Sequence, residues 1–126
     1  WFHDCYNTGT VTKTDSNSEI GGILGKADNY SYIQKNFNYG KVNEGNGYAI
    51  VGGRVSDVTT VYDDCNYYIS DTGKAQGKWF GETSISPADI KIKEKYKGFL
   101  FDSIWVMGPI HPILIDCPFQ DVTYDK

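Results

Sequence analysis

The densest group of chemically capable side chains in the sequence is acidic: Asp57, Asp63 and Asp64, with Tyr62 among them and Asp71 close behind. Carboxylates gathered around calcium, with an arginine or lysine beside them, are one apparatus for handling a polysaccharide, and Arg54, the single arginine, lies just upstream. Calcium prefers about six to eight oxygen ligands, and carboxylates in turns are more often simply solvated. The face formed by Tyr62, Asp63 and Asp64 is the one candidate ligand surface, with solvated turn residues as the plainer reading. His3 and His111 are the only histidines. Cys5 lies two residues from His3, but no third group orients the pair as nucleophilic catalysis requires. Cys5, Cys65 and Cys117 follow no zinc-ligand spacing. The expectation is a chain with no catalytic residues, no metal ligands and no cofactor.

The elements that position these residues repeat. Asp4 to Val11 returns as Lys35 to Val42 at an offset of 31 residues, carrying Tyr6 onto Phe37, Asn7 onto Asn38, Gly9 onto Gly40 and Val11 onto Val42. The same offset carries Phe2 onto Ile33 and Ile20-Gly21-Gly22 onto Val51-Gly52-Gly53. A looser third echo starts at Asp64-Cys65-Asn66-Tyr67-Tyr68. Fixed-period self-similarity marks a stacked repeat architecture. Without helical periodicity, it predicts an all-β fold: a short right-handed parallel β-helix (β-solenoid) of two to three coils, like residues stacking on like. Tyr6, Phe37 and Tyr67 are expected to form an aromatic stack inside the coil, and Val11 and Val42 an aliphatic one. Asn7 and Asn38 are expected to stack at a corner, with Gly9 and Gly40 supplying freedom for positive φ. The glycines at 21, 22, 52 and 53 suit close approach of neighbouring backbones. Asn-x-Gly as an isolated hairpin turn explains each turn alone, but not why the turn and the Gly-Gly strand keep step. Cys5 and Cys65 take similar repeat positions two coils apart, about 10 Å at the spacing of adjacent strands and too far for a disulfide. They are expected to be buried free thiols.

Asp4-Cys5-Tyr6-Asn7-Thr8-Gly9-Thr10-Val11 followed by Ile20-Gly21-Gly22-Ile23-Leu24-Gly25 resembles the GLUG-motif repeats of bacterial cell-surface proteins. The second repeat departs from that pattern at Asn36, Arg54 and Ser56. The resemblance spans about residues 1–70. It implies a repetitive extracellular β-structure of adhesin-like or peptidase-associated proteins, and it brings no catalytic residue with it. Pro118 to Asp125 is similar to the opening of an S-layer homology module, which implies anchoring to a Gram-positive type cell wall; an ordinary polar tail is the alternative.

The composition fits a single domain: 126 residues, 14 glycines and ten tyrosines favour β-structure with tight turns over helices. A net charge of −4 with scattered lysines argues against a nucleic-acid surface, and no apolar run reaches membrane-spanning length. The chain begins at Trp1 within a repeat and is expected to be a piece of a larger exported protein. Three segments are expected: repeat coils over 1–78, a C-terminal cap over 79–116, and a linker or the start of the next module over 117–126. Ser86-Pro87-Ala88-Asp89 carries a capping residue and Pro at the first helical position, predicting one short helix over about 87–96. Its aromatics are expected to cover the last coil. The functional expectation is a non-enzymatic structural or adhesion module of a cell-wall-associated bacterial surface protein, with a host or matrix protein or a glycan as partner. The alternatives are a glycan-binding or glycan-processing β-helix and an accessory domain of a surface peptidase.

Overall fold

The computed structural model describes residues 1–16, 19–27, 31–54, 61–76 and 81–117. Among them the chain is all-β. Its strands are β1 (Phe2–His3), β2 (Tyr6–Asn7), β3 (Leu24–Ala27), β4 (Ser31–Gln34), β5 (Phe37–Asn38), β6 (Val51–Arg54), β7 (Val61–Asp64), β8 (Asn66–Ile69), β9 (Glu82–Ile85), β10 (Trp105–Met107) and β11 (Pro112–Leu114). Only short 3-10 turns interrupt them, at Asn43–Gly45, Pro87–Asp89 and Lys93–Lys95. Ser56, Asp57 and the tail from Pro118 onward, all singled out in the sequence, lie outside the described residues.

Three small sheets are parallel, in the orders β1-β4-β7, β2-β5-β8-β9 and β3-β6, and β10 pairs antiparallel with β11. The register follows the sequence repeat where the corner motif stands: Phe2 pairs with Ile33, Tyr6 with Phe37, and Asn7 with Asn38. Val11 bridges Val42 in the same sense. The third repeat enters one residue earlier, so Phe37 pairs with Tyr67 and Ser31 with Val61.

The Gly-Gly strands do not keep the offset of 31. Leu24 pairs with Val51 and Gly21 bridges Tyr48, both 27 residues apart. The loops account for this. The first repeat takes ten residues from Val11 to Gly21, whereas the second covers Val42 to Tyr48 in six through the 3-10 turn at Asn43–Gly45. The second repeat recovers the length later, taking seven residues from Arg54 to Val61 against four from Ala27 to Ser31. A fixed-offset comparison sees the corner but not this compensation.

Alternate residues of a strand face opposite sides, and the four-stranded sheet is packed on both. One side meets a cluster of Ala27, Ile33, Ala49, Ile50, Val51 and Tyr68. The other carries Phe37, Tyr67, Ile69 and Ile85 against Tyr96, Phe99 and Trp105, with Tyr6 partly buried beside them. The aromatic row at 6, 37 and 67 is therefore in register, but it lies under the C-terminal segment and apart from the aliphatic cluster. That segment runs across all three repeats. Trp105 lies 6.1 Å from the Tyr6 ring, Tyr96 5.6 Å from Phe37 and Phe99 5.4 Å from Tyr67. It covers a sheet face, while β9 takes the edge of β8.

The expected helix over 87–96 is absent. Two 3-10 turns replace it, broken by extended Ile92 (φ −92°, ψ 105°), and Ser86 makes no side-chain cap. Ile90 and Ile92 are two positions apart and do not share a helix face. Isolated helices shorter than about 12 residues are marginal, so tertiary contacts decide. Here Tyr96 is buried against the sheet, and its hydroxyl donates to the Ile90 carbonyl at 2.6 Å.

Candidate functional site

Each repeat turns between its first two strands on a non-glycine residue with left-handed backbone: Asp4 (φ 53°), Lys35 (φ 59°) and Cys65 (φ 57°). Such residues cost about 1–2 kcal/mol each, so something must hold them. The asparagine that follows the next repeat's turn holds each of the first two. Asn36 Oδ1 accepts the Cys5 backbone N–H at 3.0 Å, and Asn66 Oδ1 accepts the Asn36 backbone N–H at 3.0 Å. Asn36 Nδ2 donates to the Phe2 carbonyl and Asn66 Nδ2 to the Ile33 carbonyl, and Phe2 and Ile33 are register partners. Asn36 Nδ2 also donates to Asn66 Oδ1. Both asparagines are fully buried. Sequence reading missed this ladder and took Asn36 as a departure from a cysteine. The signal was Lys35-Asn36-Phe37 against Cys65-Asn66-Tyr67. In this register Cys65 corresponds to Asp4 and Lys35, not to Cys5.

A second ladder stands at the Asn-x-Gly corner. Asn7 Oδ1 accepts from the Gly9 N–H, Asn38 Oδ1 from the Gly40 N–H, and Asn7 Nδ2 donates to Asn38 Oδ1 at 2.9 Å. Asn38 Nδ2 donates to the Gly40 carbonyl at 2.7 Å. Gly9 and Gly40 do not use positive φ; close approach is the reason for glycine at 40, where a Cβ would meet the Gly9 carbonyl. Gly9 has no such neighbour, the nearest atom being Asn7 Oδ1 at 3.5 Å. Gly22 accommodates the Asn38 side chain, and Gly21 and Gly52 lie against each other's repeat. At Gly53 a Cβ would meet only the Glu19 carboxylate.

The reactive groups are tied into this frame. Asp4 accepts from Trp105 Nε1 through Oδ1 at 3.0 Å, and its Oδ2 lies 2.7 Å from His3 Nδ1. The Cys5 thiol donates to the His3 carbonyl and not to its ring; burial, then the neighbouring Asp4, raises its pKa. His111 is buried among Tyr6, Phe37 and Tyr39, and donates from Nδ1 to the Pro112 carbonyl at 2.8 Å. Burial lowers its pKa below the ordinary 6.5. All three cysteines are free; Cys5 and Cys65, expected to be buried free thiols, are half-buried, and Cys117 is exposed.

The candidate face of Tyr62, Asp63 and Asp64 lies on β7, where Tyr62 pairs with Tyr32 and Asp64 with Gln34. The side chains of Tyr62 and Asp63 lie outside what is described; Asp64 is exposed. Asp64 borders an open cleft of about 380 Å³ with Cys65, Tyr67, Glu82 and Lys97. Burial and then Asp64 raise the Cys65 thiol pKa, keeping it protonated at neutral pH. Among the described residues no three His, Cys, Asp or Glu side chains are grouped to hold a metal ion, and no helix is long and apolar enough to cross a membrane. Comparison with protein-family models, curated proteins and solved structures found no match to this chain.

Proposed function

We propose that the chain winds as a short right-handed parallel β-helix and serves as a non-enzymatic structural and adhesive module of a bacterial cell-surface protein. The observation that carries this reading is the buried asparagine ladder. Asn36 and Asn66 make equivalent bonds to the preceding repeat. A ladder of this kind makes successive repeats interchangeable units joined by nearest-neighbour contacts, which is the design of a solenoid. Parallel strands need long crossovers, and each crossover between β2 and β5 or between β5 and β8 passes through strands of the other parallel sheets. The groups that chemistry would call on, Asp4, Cys5 and His111, are engaged in holding backbone and rings. The Cys5-to-Gly9 and Gly21-Gly22-Ile23 motifs support a GLUG-type repeat and an extracellular location, and the Pro118-to-Asp125 motif supports attachment to the cell wall through a flanking module.

Incubation with panels of polysaccharides and peptides, read by mass spectrometry for new products, tests the assignment. Retention of protein-coated beads on a glycan or matrix protein without product formation is expected. Product formation that is lost in Asp64→Ala overturns it in favour of a glycan-processing enzyme.

A further inference from the structure

The sheet β1-β4-β7 presents a face that the structural role does not use. Ile33 is fully buried, so its neighbours Tyr32 and Gln34 project to the opposite side. Trp1, which precedes β1, is 78% exposed, and Tyr32 is 38% exposed. Their rings lie side by side, with centroids 5.5 Å apart and planes tilted by 40°. Tyr62 holds the next register position on β7. A polar row runs beside the aromatic one: His3 pairs with Gln34, and Gln34 with Asp64. The His3 side chain is 54% exposed and hydrogen-bonded to Asp4, and Trp1 also meets the His3 ring edge-on at 5.4 Å.

We propose that this face is a glycan platform for a neutral, flat, β-1,4-linked polysaccharide lying along the direction in which the repeats stack. The proposal rests on the adhesion reading above and names its partner. Sugar rings stack their apolar C–H faces on aromatic rings, while their equatorial hydroxyls need donors and acceptors to one side. The Trp1–Tyr32 row supplies the first, and His3, Gln34 and Asp64 the second. Spacing selects the linkage. Adjacent strands lie about 4.8 Å apart, and a β-1,4-linked ribbon presents successive sugar rings at a similar interval, so it stays in step with the aromatic row. A β-1,3-linked chain curls and loses step. A protein hot spot would also use Trp and Tyr, but it would favour a dry apolar surround over a continuous polar row.

The test is calorimetric and fluorescence titration of the 126-residue chain with cellohexaose and chitohexaose, with laminarihexaose as the β-1,3-linked comparison. At least one β-1,4-linked hexasaccharide binds, and laminarihexaose binds more weakly. Trp1→Ala and Tyr32→Ala each weaken binding about tenfold, Trp1→Phe retains most of it, and Leu100→Ala, at an exposed apolar position elsewhere, leaves it unchanged. Matching thermal melts for all variants show that the fold is kept. No binding of either β-1,4-linked hexasaccharide, or binding that survives Trp1→Ala and Tyr32→Ala, overturns the platform. Both failures leave the structural reading intact; that reading falls instead on product formation.

Discussion

Asn36 donates twice to one oxygen: its backbone N–H and its Nδ2 both reach Asn66 Oδ1, each at 3.0 Å. Fully buried polar groups need such partners, and these bonds join the second repeat to the third at the point where the backbone turns through a strained residue. Asn66→Ala removes the acceptor for Asn36 and the donor to the Ile33 carbonyl. Leaving buried groups unsatisfied costs about 1–3 kcal/mol each, so a loss of about 2–5 kcal/mol is expected by urea unfolding. Asn7→Ala, at a half-buried position, costs less.

Gly40 and Gly9 occupy equivalent places in sequence but not in space. A Cβ at Gly40 meets the Gly9 carbonyl, whereas a Cβ at Gly9 reaches only ordinary contact. Gly40→Ala is expected to destabilise by about 2 kcal/mol or more through overpacking. Gly9→Ala is expected to change stability by less than about 0.5 kcal/mol. Chemical denaturation of the two variants checks the asymmetry.

Gly98 has φ +94° and faces the Cys65 side chain, where an added Cβ would lie 2.7 Å from Sγ. Gly98→Ala therefore combines strain with a clash. A lowered melting temperature is expected, and Cys65→Gly in the same chain should restore part of it, because the contact is removed while the strain at position 98 stays. A double-mutant cycle reads the coupling.

Burial holds the His111 pKa below 6.5 in the folded chain. The unfolded chain then binds more protons than the folded one between those two values, so stability falls as pH drops below 6.5 through the lowered folded value. Burial pushes the Tyr67 phenol up to about 12 from 10. That sign is the reverse: stability falls as pH rises above 10 toward 12. Unfolding measured at pH 7.5 and 5.5 should show an acid loss that is smaller in His111→Gln.

Asp4 and Trp105 lie 101 residues apart and share a hydrogen bond, tying the C-terminal segment to the first repeat. Asp4→Ala removes the acceptor and is expected to cost about 1–3 kcal/mol, with faster hydrogen exchange across β10 and β11. Asp4→Asn keeps an acceptor and is expected to restore most of the protection.

The corner motif was readable because Tyr6, Asn7 and Val11 each recur with a spatial reason to do so, while the glycine is required at 40 and not at 9. The Gly-Gly register was hidden because two loop lengths change in opposite senses and nearly cancel. Which face the aromatic row takes was also hidden: β2 and β5 have two residues each, and alternation fixes opposite sides without saying which is inside. The span 87–96 carried helix-start signals, yet Ile90, Tyr96 and Phe99 pack against the sheet in a way that a continuous helix does not provide. Asn36 and Asn66 escaped notice because an asparagine beside an aromatic looks like an ordinary surface turn until its partners one repeat away are seen.

The most direct test of the winding proposed for this chain is NMR detection of scalar couplings across hydrogen bonds. Couplings are expected from the Phe37 N–H to the Cys5 carbonyl and from the Tyr67 N–H to the Asn36 carbonyl, each bond being 2.9 Å long. Couplings that instead join these strands in antiparallel order, or that link Phe37 and Tyr67 to residues outside the preceding repeat, would contradict it.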